Sequence, residues 1–173
     1  MRTEVEAMLN AILLSIGSGC RTMTPIAVIC WATYLGYIPT LHWASWFGSL
    51  AAVVIFSVCA VGEWVVDILP QTPSRRDLPL ASARLVMGVL VASIMWTMCT
   101  QPWPGGVLLG VVGATIGTRG GYRLRVWAGK KVGRDWPVGL VESALVLIIS
   151  VLMMKDMHDG LAKSLEHFRY LPS

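Results

Sequence analysis

Long apolar runs, separated by short polar stretches, dominate the pattern of this chain. A nearly uncharged stretch of about 18 residues or more is typical of a helix that crosses a bilayer. We therefore predict an all-α protein, a polytopic membrane helix bundle of about five spans, with four to six consistent with the same pattern. The predicted spans run from Ala7 to Tyr37, from Trp46 to Leu69, from Leu80 to Cys99, from Gly105 to about Tyr122, and from Trp136 to Met154.

The first apolar run is too long for one straight span. A helix of about 31 residues extends about 46 Å, whereas the apolar layer of a bilayer is about 30 Å thick. The segment Gly17 to Pro25 contains glycines, threonines and a proline, which do not comfortably continue a helix. We predict that the first span is broken there. The pattern is consistent with a run that crosses the membrane once and with one that re-enters as a hairpin. The side of the membrane on which the amino terminus lies depends on which of the two occurs.

Arg21 lies inside this predicted break. A guanidinium at membrane depth costs a few kcal/mol or more unless it is paired, so it marks a functional site by default. Unwound backbone at that depth is tolerated only where protein or a watery cavity surrounds it. The break is therefore the first candidate for a ligand site.

Composition supports the membrane prediction. Hydrophobic residues make up 55% of the chain, charged residues only 14%, and the mean hydropathy is +0.64. These polar groups are too few to coat a soluble globule of this size. We predict one transmembrane domain over residues 1–154 and a short polar tail over 155–173. Glu4 and Glu6 occupy the place where a signal peptide has basic residues, so we expect no removable targeting sequence.

The positions of arginine and lysine predict the orientation of the loops. Pro70 to Pro79 carries Arg75 and Arg76, and Arg119 to Arg134 is strongly basic, so both should face the cytoplasm. We expect a multi-pass protein of the inner (plasma) membrane. The net charge of +4 is concentrated in these membrane-proximal segments, which favours membrane lipids as partners and argues against nucleic acid. The cysteines and histidines show no metal-ligand spacing, so we expect neither a metal nor a cofactor.

Three carboxylates lie within the predicted spans. Glu63 and Asp67 are four residues apart and share one helical face, and Glu142 lies in the last span. Glu63 is the deeper of the first two and most needs a partner. Candidate partners are the arginines at Arg21, Arg84, Arg119 and Arg123. Either these charges form a ligand site, or they only pair with one another and fix the packing of the helices.

Glycines form a stripe of small residues in the fourth span, on which another helix can pack closely. They are Gly106, Gly110, Gly113, Gly117 and Gly121. The pattern lacks the features of a nucleotide-binding loop. A possible inverted repeat relates Arg21 and Glu63 to the segment around Arg119 and Glu142, which is an arrangement common in transporters.

Several short motifs follow one another between about residue 10 and residue 150. They are Gly19-x-Arg21-Thr22-Met23-Thr24-Pro25, Gly62-Glu63-x-x-x-Asp67-x-x-Pro70, Ser74-Arg75, Arg84-x-x-x-Gly88, Gly113-Ala114, Gly121-Tyr122-x-x-Arg125 and Glu142. This set resembles the domain-of-unknown-function family four-one-two-six, whose members are small, mostly bacterial integral membrane proteins. The chain departs from the usual pattern at Ile68, where the family has a lysine, and at Ser143, where it has a second acid. The resemblance implies a polytopic membrane fold and no established activity.

The residues favour a small transporter or channel for an anionic or amphiphilic solute, with its site at the broken helix. The predicted site consists of Arg21, Thr22, Thr24, Glu63, Asp67, Arg84, Arg119, Arg123 and Glu142. One alternative is a noncatalytic module that binds lipid headgroups or a partner subunit. The other is an intramembrane lipid-modifying enzyme, which is disfavoured because no catalytic motif is present. A bundle of so few spans is narrow, so we expect a homo-oligomer.

Overall fold

The computed structural model describes residues 4–39, 42–68, 78–99, 102–133 and 136–169, and within these ranges it contains helices and no strands. The all-α prediction is therefore confirmed for this part of the chain. The helices are α1 (Glu4–Cys20), α2 (Thr24–Tyr34), a short 3-10 helix (His42–Gly48), α3 (Leu50–Ile68), α4 (Leu78–Met98), α5 (Trp103–Val132) and α6 (Trp136–Arg169).

Three helices in the described ranges are long and apolar enough to cross a membrane: Leu50–Asp67 in α3, Leu80–Met98 in α4 and Trp136–Lys163 in α6. Their side chains are largely exposed on the protein's surface, as is expected where lipid rather than water surrounds an apolar helix. The shorter helices α1 and α2 are also apolar. The chain thus has helices of the length and composition found in membrane proteins.

Helices α1, α4 and α5 pack against one another as one group, which we call the tight triplet. The glycines of α5 make this possible. A Cβ atom at Gly113 would lie 2.8 Å from Cβ of Ser15 in α1, and one at Gly106 would lie 2.7 Å from Cα of Ser93 in α4. A Cβ at Gly117 would overlap the carbonyl oxygen of Ile16. Close approach of the helix backbones explains the glycine stripe of the sequence.

Helices α2, α3 and α6 form a second group, which we call the open triplet. Larger side chains fill this region. Where the 3-10 helix meets α3, Phe47 stacks on Phe56 and Trp46 meets both rings edge-on. Tyr37 contacts His158 of α6. Long side chains keep helix axes farther apart than glycines do, so this triplet has fewer close backbone contacts.

Two features differ from the sequence interpretation. Helix α5 runs without interruption through Gly117 to Gly121, so it has no counterpart of the interruption between α1 and α2. Helix α6 continues beyond residue 154, and Met157 in the predicted polar tail is buried in the core. Arg75, Arg76 and Arg134, which the orientation argument used, lie outside the described residues.

Candidate functional site

The segment between α1 and α2 places Arg21 inside the protein. Helix α1 ends at Cys20 and α2 begins at Thr24, with Pro25 in its first turn, where a missing N–H group is tolerated. The backbone N–H of Arg21 still donates to the carbonyl oxygen of Gly17, at 2.7 Å. Arg21 is only 1% exposed. Its guanidinium must therefore be neutralised by other parts of the protein.

Arg21 reaches α3 and α6. Its Nη1 lies 2.6 Å from Oδ2 of Asp67, and its Nη2 donates to the carbonyl oxygen of Gly139, at 2.7 Å. Nη2 also lies 3.9 Å from Oε2 of Glu142. Nε of Arg21 has no hydrogen-bond acceptor among the described residues. The arginine therefore has one direct carboxylate partner and a second, looser one.

Arg125 of α5 meets the same carboxylates from the other side. Its Nη1 donates to Oδ2 of Asp67, and its Nη2 donates to the carbonyl oxygen of Asp67, at 3.2 Å. Nη1 lies 3.8 Å from Oε2 of Glu142. A Cβ atom at Gly139 would lie 3.2 to 3.4 Å from the Arg125 guanidinium, so the glycine makes room for it.

We call Arg21, Asp67, Arg125 and Glu142 the ion cluster. Its two guanidinium groups and two carboxyl groups match in number, and pairing of this kind is what lets charges persist away from water. The side chains of Asp67 and Glu142 are only 11% and 14% exposed. The cluster connects α3 and α6 of the open triplet with the end of α1 and with α5, so it joins the two helix groups.

Glu63 has a different role from the ion cluster. Its Oε1 accepts a hydrogen bond from the backbone N–H of Thr22, at 2.8 Å, and its Oε2 accepts one from that of Met23, at 3.0 Å. These N–H groups lie at the amino end of α2, where a negative charge is favourable. The positive end of the second half-helix is therefore occupied by a carboxylate of the protein itself. Thr24 is also engaged, because its Oγ1 accepts from Nε1 of Trp64, at 3.1 Å.

The structure brings most of the predicted site residues together. Arg21, Thr22, Thr24, Glu63, Asp67 and Glu142 lie around the junction of α1 and α2. Among the described residues, the carboxylate paired directly with Arg21 is Asp67, and Glu63 instead caps α2. Arg84 is buried on α4, near Glu63 and Asp67. Arg119 and Arg123 are exposed on α5 and line neither of the two cavities described below.

Arg125 is the site residue that sequence reasoning did not place there, although it belongs to the motif set. The spacing of residues in the sequence does indicate that Arg125 is buried. Arg125 follows Gly121 by four residues and Gly117 by eight, so it continues the buried glycine face of α5. Arg119 and Arg123 are out of phase with that face. The position of each arginine relative to the glycines thus separates the buried one from the exposed ones.

Two cavities lie on either side of the ion cluster. The first, which we call the apolar cavity, has a volume of about 360 Å³ between α1, α5 and α6, and its lining includes Leu13, Cys20, Leu124, Val146, Arg125 and Glu142. The second has a volume of about 380 Å³ between the start of α2, α3 and α4, and we call it the polar cavity because Glu63, Asp67 and Arg84 line it. The rest of its wall is largely apolar and includes Met23, Val66, Leu80 and Ala83. Ligand pockets in proteins begin at about 300 Å³, so each is large enough for a small molecule.

Comparisons of the chain with models of protein families, with curated proteins and with solved structures find no match. The described residues contain no group of three or more His, Cys, Asp or Glu side chains that could hold a metal ion. The class of the protein therefore rests on its fold and charges: in the described residues, helices long and apolar enough to cross a membrane surround a charged cluster that lies between two cavities.

Proposed function

We propose that this is a multi-pass protein of the inner (plasma) membrane that moves an amphiphilic anion through the bilayer. In this proposal α1 and α2 together form one discontinuous span, and α3 to α6 form four more. Discontinuous helices are a recurring feature of transporter binding sites. Arg21, at the end of α1, lies at the discontinuity between α1 and α2.

The observation that carries the proposal is the lining of the apolar cavity. Leucine, isoleucine and valine side chains form most of its wall, while Arg125 and Glu142 contribute the charged part. An amphiphile has the complementary chemistry, because its alkyl chain would pack on the apolar wall and its anionic head would meet the guanidinium. The head would therefore bind beside the ion cluster.

Within the ion cluster, Glu142 is the carboxylate that an incoming anion displaces most readily. Its Oε2 lies 3.8 to 3.9 Å from the two guanidinium groups, whereas Asp67 contacts both directly. A hydrogen bond between charged nitrogen and oxygen atoms is usually about 2.7 to 2.9 Å long. A carboxylate, sulfonate or phosphate entering from the apolar cavity would compete with Glu142 for these two guanidinium groups.

Decanesulfonate is a suitable probe, because its head stays charged and its chain is apolar. Native mass spectrometry of the protein released from mild detergent is expected to show retained decanesulfonate and to give the subunit count. Arg125→Gln should lose the ligand while Arg123→Gln, an exposed arginine on the same helix, keeps it. Decanol, with the same chain and no charge, should be retained poorly. Equal retention of decanol and decanesulfonate, or unchanged binding to Arg125→Gln, would contradict the proposal.

Movement of the ligand is a separate step and needs its own measurement. Sealed vesicles with the reconstituted protein are expected to accumulate decanesulfonate faster than empty vesicles, and the Arg125→Gln protein should reduce uptake to the rate of empty vesicles. Binding without uptake would make the protein a receptor for amphiphiles rather than a transporter.

A second function is favoured by the exposed basic residues of α5, namely Arg119, Arg123, Lys130 and Lys131. Nζ of Lys131 lies 4.2 Å from the ring centre of Trp127, a residue type common at membrane surfaces. In this alternative the protein is a noncatalytic module that holds anionic lipid headgroups, and the ion cluster is structural. Retention of phosphatidylglycerol that is lost when Arg119 and Arg123 become glutamine, but not in Arg125→Gln, would favour it.

A further inference from the structure

The chain segment around Arg21 separates the two cavities. Cys20 lines the apolar cavity and Thr22 lines the polar cavity, with the buried side chain of Arg21 between them. Two other residues of the ion cluster also line different cavities. Arg125 lines the apolar cavity, and Asp67 lines the polar cavity. The bond between Asp67 and Arg125 therefore joins a wall of one cavity to a wall of the other.

We propose that the contacts of Asp67 with Arg125 and Arg21 form a gate that separates the two cavities, and that breaking them connects the cavities into one passage. This inference rests on the proposed function, since it names the route that a bound amphiphile takes across the cluster. The two cavities have similar volumes, about 360 and about 380 Å³, so the second offers about as much space as the first.

The charge balance of the ion cluster gives the ligand a way to open the gate. With two guanidinium groups and two carboxylates, the closed state is neutral. An anionic head that binds to the arginines adds one negative charge in a poorly solvated place. One carboxylate must then move away or bind a proton. Asp67 already lines the polar cavity, so a small displacement carries it from the arginines toward that side.

Two native cysteines allow the gate to be tested without any ligand. Cys20 reports on the apolar cavity and Cys59 on the polar cavity. Proteins that keep only one of them, with the other cysteines replaced by alanine, are reconstituted into sealed vesicles. The probe is sulfonatoethyl methanethiosulfonate, a water-soluble thiol reagent that does not cross membranes, added to the side from which it modifies Cys59.

From that side, Cys20 of the otherwise wild-type protein is expected to react slowly. Asp67→Asn should increase the rate at Cys20 by about tenfold or more, because a buried ion pair that loses one partner no longer holds the closed state. Arg125→Gln, which removes the other partner, should have the same effect. Asp156→Asn is the matched control, because Asp156 accepts a hydrogen bond from Asn10, at 3.2 Å, and lines neither cavity.

Three results would overturn the gate. The first is an unchanged rate at Cys20 in Asp67→Asn or in Arg125→Gln, provided that the variant protein is folded. Another is a rate that rises equally in Asp156→Asn. The third is a Cys59 that reacts from neither side, because the polar cavity would then be closed to water. Since no decanesulfonate is added in this assay, a failed gate leaves decanesulfonate binding untouched, and failed binding leaves the cysteine result valid.

Discussion

The tight triplet and the open triplet are built from the same kind of apolar helix but hold together in different ways. In the tight triplet, glycines of α5 let α1 and α4 approach to backbone contact, and the hydroxyl of Ser15 donates to the carbonyl oxygen of Gly110 across the interface, at 2.8 Å. The open triplet has larger side chains between its helices and is joined to the rest through the ion cluster. Close backbone packing stabilises the first. The second is connected to it by the charges of the ion cluster and also by a shared hydrophobic core that includes Leu14, Ile26 and Val91. Residues of the ion cluster line both cavities.

Removing Arg21 should have the largest effect, because it withdraws one of the two cations that connect the triplets. Breaking a buried ion pair by deleting one partner costs about 3 to 5 kcal/mol. We expect Arg21→Ala to lower the melting temperature in detergent substantially. A double-mutant cycle sharpens the test, since Arg21→Ala should be coupled to Asp67→Ala and nearly additive with Glu63→Gln. Coupling to Glu63 alone would mean that the pairing geometry is wrong.

A methyl group inside the tight triplet should have the next largest effect. Gly117→Ala puts a Cβ atom into the carbonyl oxygen of Ile16, so α1 and α5 must move apart. Overpacking of this kind costs about 2 kcal/mol. Gly120→Ala on the same helix is the control, because nothing lies within 4 Å of its Cβ position. The control should be neutral or slightly stabilising, since alanine favours helix. Equal melting temperatures for the two variants would argue against close packing at Gly117.

Glu63→Gln should have a smaller, local effect. The amide keeps one oxygen acceptor for the N–H groups of Thr22 and Met23, but it loses the charge that favours the amino end of α2. We expect a loss of about 1 kcal/mol, because a hydrogen bond to a charged group exceeds a neutral one by about this amount. Hydrogen exchange should become faster at Thr22 and Met23, while the amides of α5 stay protected. Unchanged exchange at both positions would show that Glu63 does not cap α2.

The smallest effect is expected at the exposed face of α5. Arg123→Gln removes an exposed charge, so the melting temperature should match that of the wild type. Arg125→Gln, two residues further along, should be clearly destabilised because Arg125 holds Asp67. Similar melting temperatures for these two proteins would contradict the assignment of buried and exposed arginines.

Much of this organisation could be expected from residue patterns. Apolar runs predicted helices, and the glycine stripe predicted the surface on which α5 meets its neighbours, because both depend on residues that are close in the chain. The pairing of charges could not be predicted in the same way. Glu63 and Asp67 lie on one face of α3, yet Glu63 caps α2 and Asp67 binds Arg21 and Arg125. A shift of one helical turn decides between these roles.

The sequence by itself determined that the protein is helical and apolar and that charges lie within its apolar runs, because hydrophobicity and glycine content act on each helix separately. Only the tertiary structure decided that Arg125 rather than Arg123 joins Arg21, that Asp67 rather than Glu63 pairs with both arginines, and that the resulting cluster lies between two cavities. Those outcomes depend on the rotation and depth of each helix in the bundle. Packing among all of the helices sets these two quantities, and no single segment encodes them.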